Sequence, residues 1–240
     1  MVKHFRKVLE TAAKYEVSLV VLEPIKDTGL RRTFPNMMSR EGAKGQEFNG
    51  FMSSKDNNKP NHTTIIPFTR LLSSPMDYTP GIFNLVDYRY NSPEDRKINP
   101  NHRIPSTISK ELALYVVIYA PVQMAADLPI NYEGNPAFQF ILDVPTDWEE
   151  TKVLNGEIGE FITIARKDIN SDSWYIGSIT NEDRRSIDIE MNFLNDNATY
   201  KATIYKDPTN GGWINNPEPV SYTHLRAHET REDRGWRGVG

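Results

Sequence analysis

The sequence predicts an α/β fold in two parts, a parallel sheet or (β/α) barrel followed by an antiparallel β-sandwich. In the first part, over residues 1–148, helical patterns alternate with short apolar strands that end in an acid and a proline, and such alternation is typical of parallel sheets. After Trp148, short strand-like runs recur about every 8–12 residues with Asn-rich turn signals between them, which is typical of an antiparallel sandwich. We place the sandwich at residues 149–219.

The first part reads as three helix and strand units. Val2, Phe5, Val8 and Leu9 have the spacing of an amphipathic helix, and the β-branched run at 17–22 predicts a buried strand that stops at Glu23. A long polar loop is predicted over 25–61. The remaining predicted elements are a helical turn or two at 63–72, a short segment at 75–78, a polar loop to residue 103, a helix at 108–119 capped by Ser106 or Thr107, a strand at 122–126 and a helix at 136–142.

The second part contains five strand candidates, at residues 151–154, 161–165, 174–180, 186–191 and 199–205. Residues 220–230, VSYTHLRAHET, match the translation of a transposase-type sequencing adapter. We therefore expect residues 220–240 to be a non-native tail, and we reject a metal site at His224 and His228 despite their helical spacing.

Composition excludes several classes of function. The 28 Lys and Arg against 32 Asp and Glu give a net charge of −4, so no basic excess points to nucleic acid or an anionic membrane. The absence of cysteine excludes disulfides, thiolate metal sites and a cysteine nucleophile. Pro121 and Gln123 interrupt the longest apolar stretch, at 112–126, which is shorter than the roughly 18–20 residues of a membrane span. We expect neither nucleic-acid binding nor membrane insertion.

Acidic residues follow the predicted strands of the first part. Glu23, Asp77 and Asp127 stand at strand ends, and Glu41 and Glu47 lie in the glycine-containing loop after the first strand. In a (β/α) barrel, the residues that do chemistry lie at the carboxyl ends of the strands. The pattern therefore predicts that acids line the barrel mouth.

Clustered carboxylates repel one another unless a cation or a shared proton compensates. Because the chain offers oxygen ligands, no cysteine and few histidines, calcium is the favoured cation. Two carboxylates across a cleft are also the minimum for glycoside hydrolysis. Other interpretations remain open: loop acids such as Glu41 and Glu47 are often only solvated, and Glu23 could cap a helix. Asp77 and Asp127 could bind substrate or make structural hydrogen bonds.

The segments around these acids resemble the central motifs of glycoside hydrolase family 97. They read EPIKDTGLRRTFPN at 23–36, REGAKGQEF at 40–48, HTTIIPFTR at 62–70, PMDYTPGIF at 75–83, QMAAD at 123–127 and NGEIGEFITIAR at 155–166. The resemblance covers about residues 1–219. It implies that residues 1–148 are the C-terminal half of a catalytic (β/α)₈ TIM barrel and that 149–219 are part of a C-terminal β-sandwich.

Members of that family are bacterial calcium-dependent α-glycosidases, chiefly α-glucosidases and α-galactosidases. By resemblance, Glu47 is the general acid, Glu23 is the general base, and Glu23, Glu41 and Glu47 bind calcium. Glutamate at position 23 is typical of the inverting members and favours α-glucosidase activity. Two positions differ from the family: Leu22 stands where histidine is common, and Asp27 where proline is usual.

The resemblance further implies a longer parent protein that supplies the N-terminal sandwich and the first barrel strands. We expect the parent to hydrolyse α-linked oligosaccharides in the periplasm, with its signal peptide upstream of this chain, and the 240-residue chain alone to be inactive. Two alternatives remain. One is a retaining α-galactosidase of the same family, and the other is a non-catalytic calcium-dependent carbohydrate-binding protein, for which Leu22 is the sequence support.

Overall fold

The computed structural model describes residues 1–51, 58–85, 104–195, 198–214, 217, 220–227 and 235–239. Its helices are α1 (Val2–Lys14), α2 (Leu30–Thr33), α3 (Phe48–Phe51), α4 (His62–Ile65), α5 (Ile108–Val117), α6 (Pro129–Tyr132) and α7 (Phe138–Asp143), with 3₁₀ turns at Ile66–Phe68 and Arg70–Leu72. The polar loop predicted up to residue 103 lies largely outside the described residues, as do residues 52–57 of the earlier loop.

The strands are β1 (Leu19–Val21), β2 (Met37–Arg40), β3 (Trp148–Glu157), β4 (Phe161–Asp168), β5 (Trp174–Thr180), β6 (Ser186–Glu190), β7 (Tyr200–Lys206), β8 (Ser221–Ala227) and β9 (Gly235–Val239). No helix in the described part of the chain is long and apolar enough to cross a membrane. The chain is therefore a mixed helix and strand structure in which the strands cluster toward the C-terminus.

In the described residues of the first part, parallel pairing is limited to one strand pair and one bridge. β1 pairs in parallel with β2, and a single parallel bridge joins Arg40 to Met76. β2 lies inside the segment predicted as loop. The sequence does not indicate this strand, because Met-Met-Ser-Arg is neither β-branched nor alternating in polarity. The prediction of a strand at 122–126 is wrong. That segment is irregular. Its hydrogen bonds include one from the Ala126 N–H to the Pro80 carbonyl and one from the Tyr115 hydroxyl to the Met124 carbonyl.

The second part is antiparallel, as predicted. β3, β4 and β5 form a three-stranded sheet in that order, while β6 pairs with β9 and β7 pairs with β8. Each of the five predicted strand candidates falls within or overlaps an observed strand. β8 and β9 lie in the predicted tail, so the backbone of that tail pairs with β7 and β6.

α5 joins the two parts. Leu114, Val117 and Ile118 pack with Ile162 and Ile179 of the three-stranded sheet, in a core that also contains residues of the 66–78 segment. Thr107 caps α5, accepting a hydrogen bond from the Lys110 N–H, as predicted. α5 passes so close to β5 that a Cβ on Gly177 would lie 2.8 Å from the Ala113 carbonyl oxygen, so this position requires glycine.

Buried cations reinforce the contact between α5 and the sheet. The Lys110 ammonium donates to the carbonyls of Pro60 and Thr180, and burial lowers its pKa to about 8. Arg166 on β4 donates to the Val116 carbonyl at 2.6 Å and to the Thr151 hydroxyl at 2.7 Å. These hydrogen bonds fix α5, and the segments that pack on it, against the sheet.

Candidate active site

Glu41 lies at the centre of the group of acids. It follows β2 directly, and its own N–H continues the pairing with β1 by donating to the Val21 carbonyl at 3.0 Å. Its carboxylate accepts a hydrogen bond of 2.7 Å from the Glu23 N–H. The end of β1 and the end of β2 are thereby tied together through one carboxylate.

Glu23 has an exposed side chain on a constrained backbone. Its φ is +45°, in the left-handed region that residues other than glycine seldom adopt. Such a conformation costs about 1–3 kcal/mol and persists only where the surroundings fix it, as the 2.7 Å hydrogen bond to Glu41 does here. Strained residues of this kind cluster at active sites, so the conformation of Glu23 is a structural indication of function.

Glu47 is half-buried beside Glu41. Burial raises the pKa of its carboxyl above the ordinary value, and the neighbouring negative charge of Glu41 raises it further, while a hydrogen bond from the Thr79 hydroxyl at 3.2 Å opposes the rise. Gly45 makes room for the carboxyl, since a Cβ there would lie 2.4 Å from Glu47 Oε2. A pKa shifted in this direction suits a general acid.

Asp77 joins the same group, whereas Asp127 is held by a different part of the chain. Asp77 is buried, and burial followed by the charge of Glu41 raises its pKa. The Asp127 carboxylate accepts hydrogen bonds from the N–H groups of Phe83 and Asn84 at 2.8 and 2.7 Å. These contacts support the structural interpretation of Asp127, while the burial of Asp77 beside Glu41 leaves it within the site.

The residues present fit a cation in part. Glu47 Oε1 is buried and has no hydrogen-bond partner among the described residues, and it belongs to a carboxyl whose neighbour is also acidic. A hard cation such as calcium satisfies both conditions, because it takes carboxylate oxygens and neutralises their repulsion. Within the described ranges, no three His, Asp or Glu side chains are grouped closely enough to hold a metal by themselves.

Sequence reasoning missed the residues that support these acids. Arg70 donates to the Glu41 carbonyl at 2.6 Å and to the Arg40 carbonyl at 2.8 Å, and Thr79 contacts Glu47 from a backbone with φ of +58°. Glu111 is fully buried in the first turn of α5. The sequence could have indicated Glu111, because it is a charged residue within the apolar pattern of α5. It could not indicate Arg70 and Thr79, because each acts on a residue about 30 positions away along the chain.

Asp27, which stands where the resemblance expects proline, has a partner of its own. Its carboxylate lies 3.8 Å from Arg40 Nε, with both side chains largely buried, and it also accepts a hydrogen bond from the Gly29 N–H at 2.8 Å. Buried charges require such pairing. Asp27 therefore balances the charge of Arg40 behind β2.

A large cavity lies away from the acids. Its volume is about 1450 Å³, and its walls include apolar residues of β5, β6 and β7, such as Ile179, Ile189 and Ile204. None of the five acids lines it. We interpret it as space between the sandwich strands rather than as a substrate site.

Two family models match this chain. Residues 1–43 match the model described as "Glycoside hydrolase 97", and residues 147–234 match "Glycosyl-hydrolase 97 C-terminal, oligomerisation". Together they cover the segment that carries Glu23 and Glu41 and most of the strands of the second part. This chain belongs to glycoside hydrolase family 97.

Relatives within family 97 are glycosidases. A retaining alpha-galactosidase of Bacteroides thetaiotaomicron is 37% identical over 203 residues, which cover 84% of this chain and 29% of that protein. A family 97 enzyme of Pseudoalteromonas sp. strain K8, solved in complex with panose, is 42% identical and has a TM-score of 0.86 over 100% of this chain and 35% of its own. The same enzyme in complex with acarbose is 43% identical, also with a TM-score of 0.86.

The chain thus spans about a third of the length of the family 97 proteins it matches. Its antiparallel sheet and its α5 packing belong to a segment that a longer family 97 enzyme also contains. The family is shown by these matches, and its members hydrolyse glycosidic bonds.

Proposed function

We propose that this chain is part of a longer parent protein that hydrolyses α-glucosidic bonds in oligosaccharides with inversion. In this proposal, residues 1–148 form the C-terminal half of a (β/α)₈ barrel and residues 149–219 part of a C-terminal sandwich. Glu47 is the general acid and Glu23 the general base. The observation that carries the proposal is the half-buried Glu47 carboxyl beside Glu41, whose pKa is raised by burial and by its neighbour.

The roles follow from the chemistry of the two carboxyls. Glu47, half-buried beside Glu41, gives a proton to the leaving glycosidic oxygen. Glu23, exposed at the end of β1, accepts a proton from the attacking water. An inverting pair is about 6.5–9.5 Å apart, which leaves space for that water.

Calcium is the proposed cofactor, on the family resemblance: Glu23, Glu41 and Glu47 would hold it together with ligands from the rest of the parent protein, since these acids are not grouped closely enough to hold a metal by themselves. When bound, the ion supplies positive charge that lets neighbouring carboxylates coexist. Glu41 then orients the site through its hydrogen bond to the Glu23 N–H. The pKa directions given above for Glu47 and Asp77 describe these acids without the ion. We also propose a periplasmic location for the parent, on the family resemblance alone.

A second candidate is retention by an α-galactosidase. It is favoured by the retaining alpha-galactosidase that is 37% identical over 203 residues. Glu23 favours the inverting α-glucosidase instead, by the family resemblance, and the enzyme solved with panose and acarbose supports an oligosaccharide substrate. The sugar preferred by the parent and the anomer of its first product separate the two candidates.

The test uses the purified parent with calcium. We expect turnover of an aryl α-glucoside and of an α-glucoside disaccharide, with the β-anomer formed first in a time-resolved NMR spectrum. Glu47→Gln should lower kcat for the disaccharide by about 10²–10⁴-fold, because it removes general-acid assistance. Glu10→Gln, which changes an exposed acid paired with Arg6, is the matched control and should leave kcat unchanged.

Three results would contradict this proposal. Preferred turnover of an α-galactoside with retained configuration would assign the second candidate. Binding of oligosaccharide without turnover would favour the non-catalytic alternative. Turnover by the 240-residue chain alone would overturn the expectation that the upstream part is needed.

A further inference from the structure

Glu111 is a buried carboxylate that the proposed reaction does not use. It lies on α5 among apolar residues, and its relative exposure is 0%. Burial raises the pKa of this carboxyl, while hydrogen bonds from Ser106 and from the backbone at Gly81 and Ile82 oppose the rise. Glutamate is almost never fully buried unless it is paired, so its partners show what the side chain does.

Three separate segments donate to Glu111. The Gln46 side-chain amide donates to Oε1 at 3.0 Å, the Gly81 N–H donates to Oε2 at 2.9 Å, and the Ser106 hydroxyl also donates to Oε1. Every one of these groups is a donor and the carboxylate accepts from all of them. A single buried carboxyl therefore joins the segment before Glu47, the turn after Tyr78 and the N-terminus of α5.

Two of those segments determine where Glu47 lies. Gln46 immediately precedes Glu47, and its N–H donates to the Tyr78 carbonyl at 2.8 Å. Thr79, whose hydroxyl lies 3.2 Å from Glu47 Oε2, is two residues before Gly81. Glu111 thus holds Glu47 from both sides, through its chain neighbour and through its hydrogen-bond partner.

The turn that Glu111 holds is strained. Thr79 has φ of +58° and Gly81 has φ of +98°, and only the second is a glycine. Strained backbone of this kind persists where the surrounding structure determines it. The Tyr132 hydroxyl, which donates to the Gly81 carbonyl at 2.8 Å, adds a second contact to the same turn.

We propose that Glu111 is a positioning residue that holds Glu47 in the orientation from which it protonates the leaving group. The inference rests on the proposed role of Glu47 as general acid, and it goes beyond that role by assigning the buried side chain that orients it. Glu111 touches neither substrate nor the reacting atoms; it acts through Gln46 and through the 79–81 turn.

The test compares two substrates of the parent protein that differ in their need for an acid. An α-glucoside disaccharide needs protonation of its leaving oxygen, whereas α-glucosyl fluoride releases fluoride without it. Glu111→Gln keeps the shape of the side chain but replaces one acceptor oxygen with a donor. We expect kcat for the disaccharide to fall about 10–100-fold with little change in KM, since misplacement of a catalytic group by about 1 Å costs that much. Turnover of the fluoride should stay within about threefold of the unchanged protein.

Thr163→Val is the matched control. Thr163 is fully buried on β4, where its hydroxyl lies 2.9 Å from the Ser178 hydroxyl, so this variant also loses a buried hydrogen bond. It should lower the melting temperature without changing the ratio of the two substrates. If Glu111→Gln does not fold, Ser106→Ala removes one donor to Glu111 and should show the same selectivity with a smaller loss.

An equal loss of kcat on both substrates would overturn the inference, because it would show a general loss of structure. An unchanged disaccharide kcat would overturn it as well. The Glu47→Gln variant separates this failure from that of the proposed function. If Glu47→Gln shows no preference for the fluoride, Glu47 is not the acid; if it does and Glu111→Gln does not, only the positioning role fails.

Discussion

Arg70 holds the end of β2 beside the acids, and its replacement with Met gives a prediction whose size follows from the contacts. The guanidinium donates to four carbonyls, those of Glu41 at 2.6 Å, Arg40 at 2.8 Å, Ser74 at 2.9 Å and Pro75 at 3.1 Å. Burial and, to a smaller extent, the nearby charge of Arg40 lower the pKa of Arg70 to about 10. It remains charged at neutral pH and serves as a fixed set of donors.

The expected cost of Arg70→Met is about 3 kcal/mol. The Arg40 carbonyl also accepts from the Asp77 N–H at 3.1 Å, so we count only the other three carbonyls. A buried acceptor left without a donor costs about 1–3 kcal/mol, and we take the lower end because Arg70 is half-buried and water can reach part of the site. This amount corresponds to a local opening that is about a hundredfold more frequent.

Hydrogen exchange of the parent protein measures that opening locally, without requiring two-state unfolding of a long chain. We expect the amides of Glu41 and Asp77 to exchange about a hundredfold faster in Arg70→Met. Arg70→Lys should give an intermediate effect, since one ammonium cannot replace the fork of the guanidinium. Arg32→Met, at an exposed arginine of α2, is the control and should change exchange little. Unchanged exchange at both amides in Arg70→Met would refute the reasoning.

Two further predictions follow from buried groups. Asp127→Asn should speed exchange at residues 83–85, because the carboxylate accepts from the N–H groups of Phe83 and Asn84, and it should leave KM unchanged; a raised KM without faster exchange would instead assign Asp127 to substrate binding. Burial lowers the folded pKa of Lys110 to about 8, so between about pH 8 and pH 10.5 the unfolded chain binds more protons than the folded one. The free energy of unfolding of the unchanged protein therefore increases with pH in that window. Lys110→Met should abolish this increase. Thermal unfolding of the parent at pH 8 and pH 10 checks this, and an equal rise in the variant would contradict it.

Elements with strong local patterns could be predicted from the sequence. The helical spacing of Val2 to Leu9 predicts α1, and the regular turn signals after Trp148 predict the antiparallel strands, because both patterns are set by neighbouring residues. β2 was missed and the strand at 122–126 was predicted wrongly for one reason. A short strand forms only where another segment pairs with it, and the sequence of the strand does not show which segment that is.

The same division applies to the candidate site. The acids Glu23, Glu41 and Glu47 could be identified from the sequence because they lie within 25 residues in recognisable motifs. Their geometry could not. The left-handed φ of Glu23 and its N–H contact with Glu41 depend on β1 and β2 pairing, which brings residues 18 positions apart into hydrogen-bond distance.

The supporting residues lie still farther along the chain, and this separation has a chemical consequence. Thr79 is 32 residues from Glu47, and Glu111 is 65 residues from Gln46. Glu47 is thus oriented by distant segments that contribute no catalytic carboxyl to the proposed reaction. A substitution at Glu47 removes the proton donor itself, whereas one at Glu111 leaves the donor in place and changes only its direction. The two kinds of loss therefore differ in their dependence on the leaving group, and in the extent to which an activated substrate restores turnover.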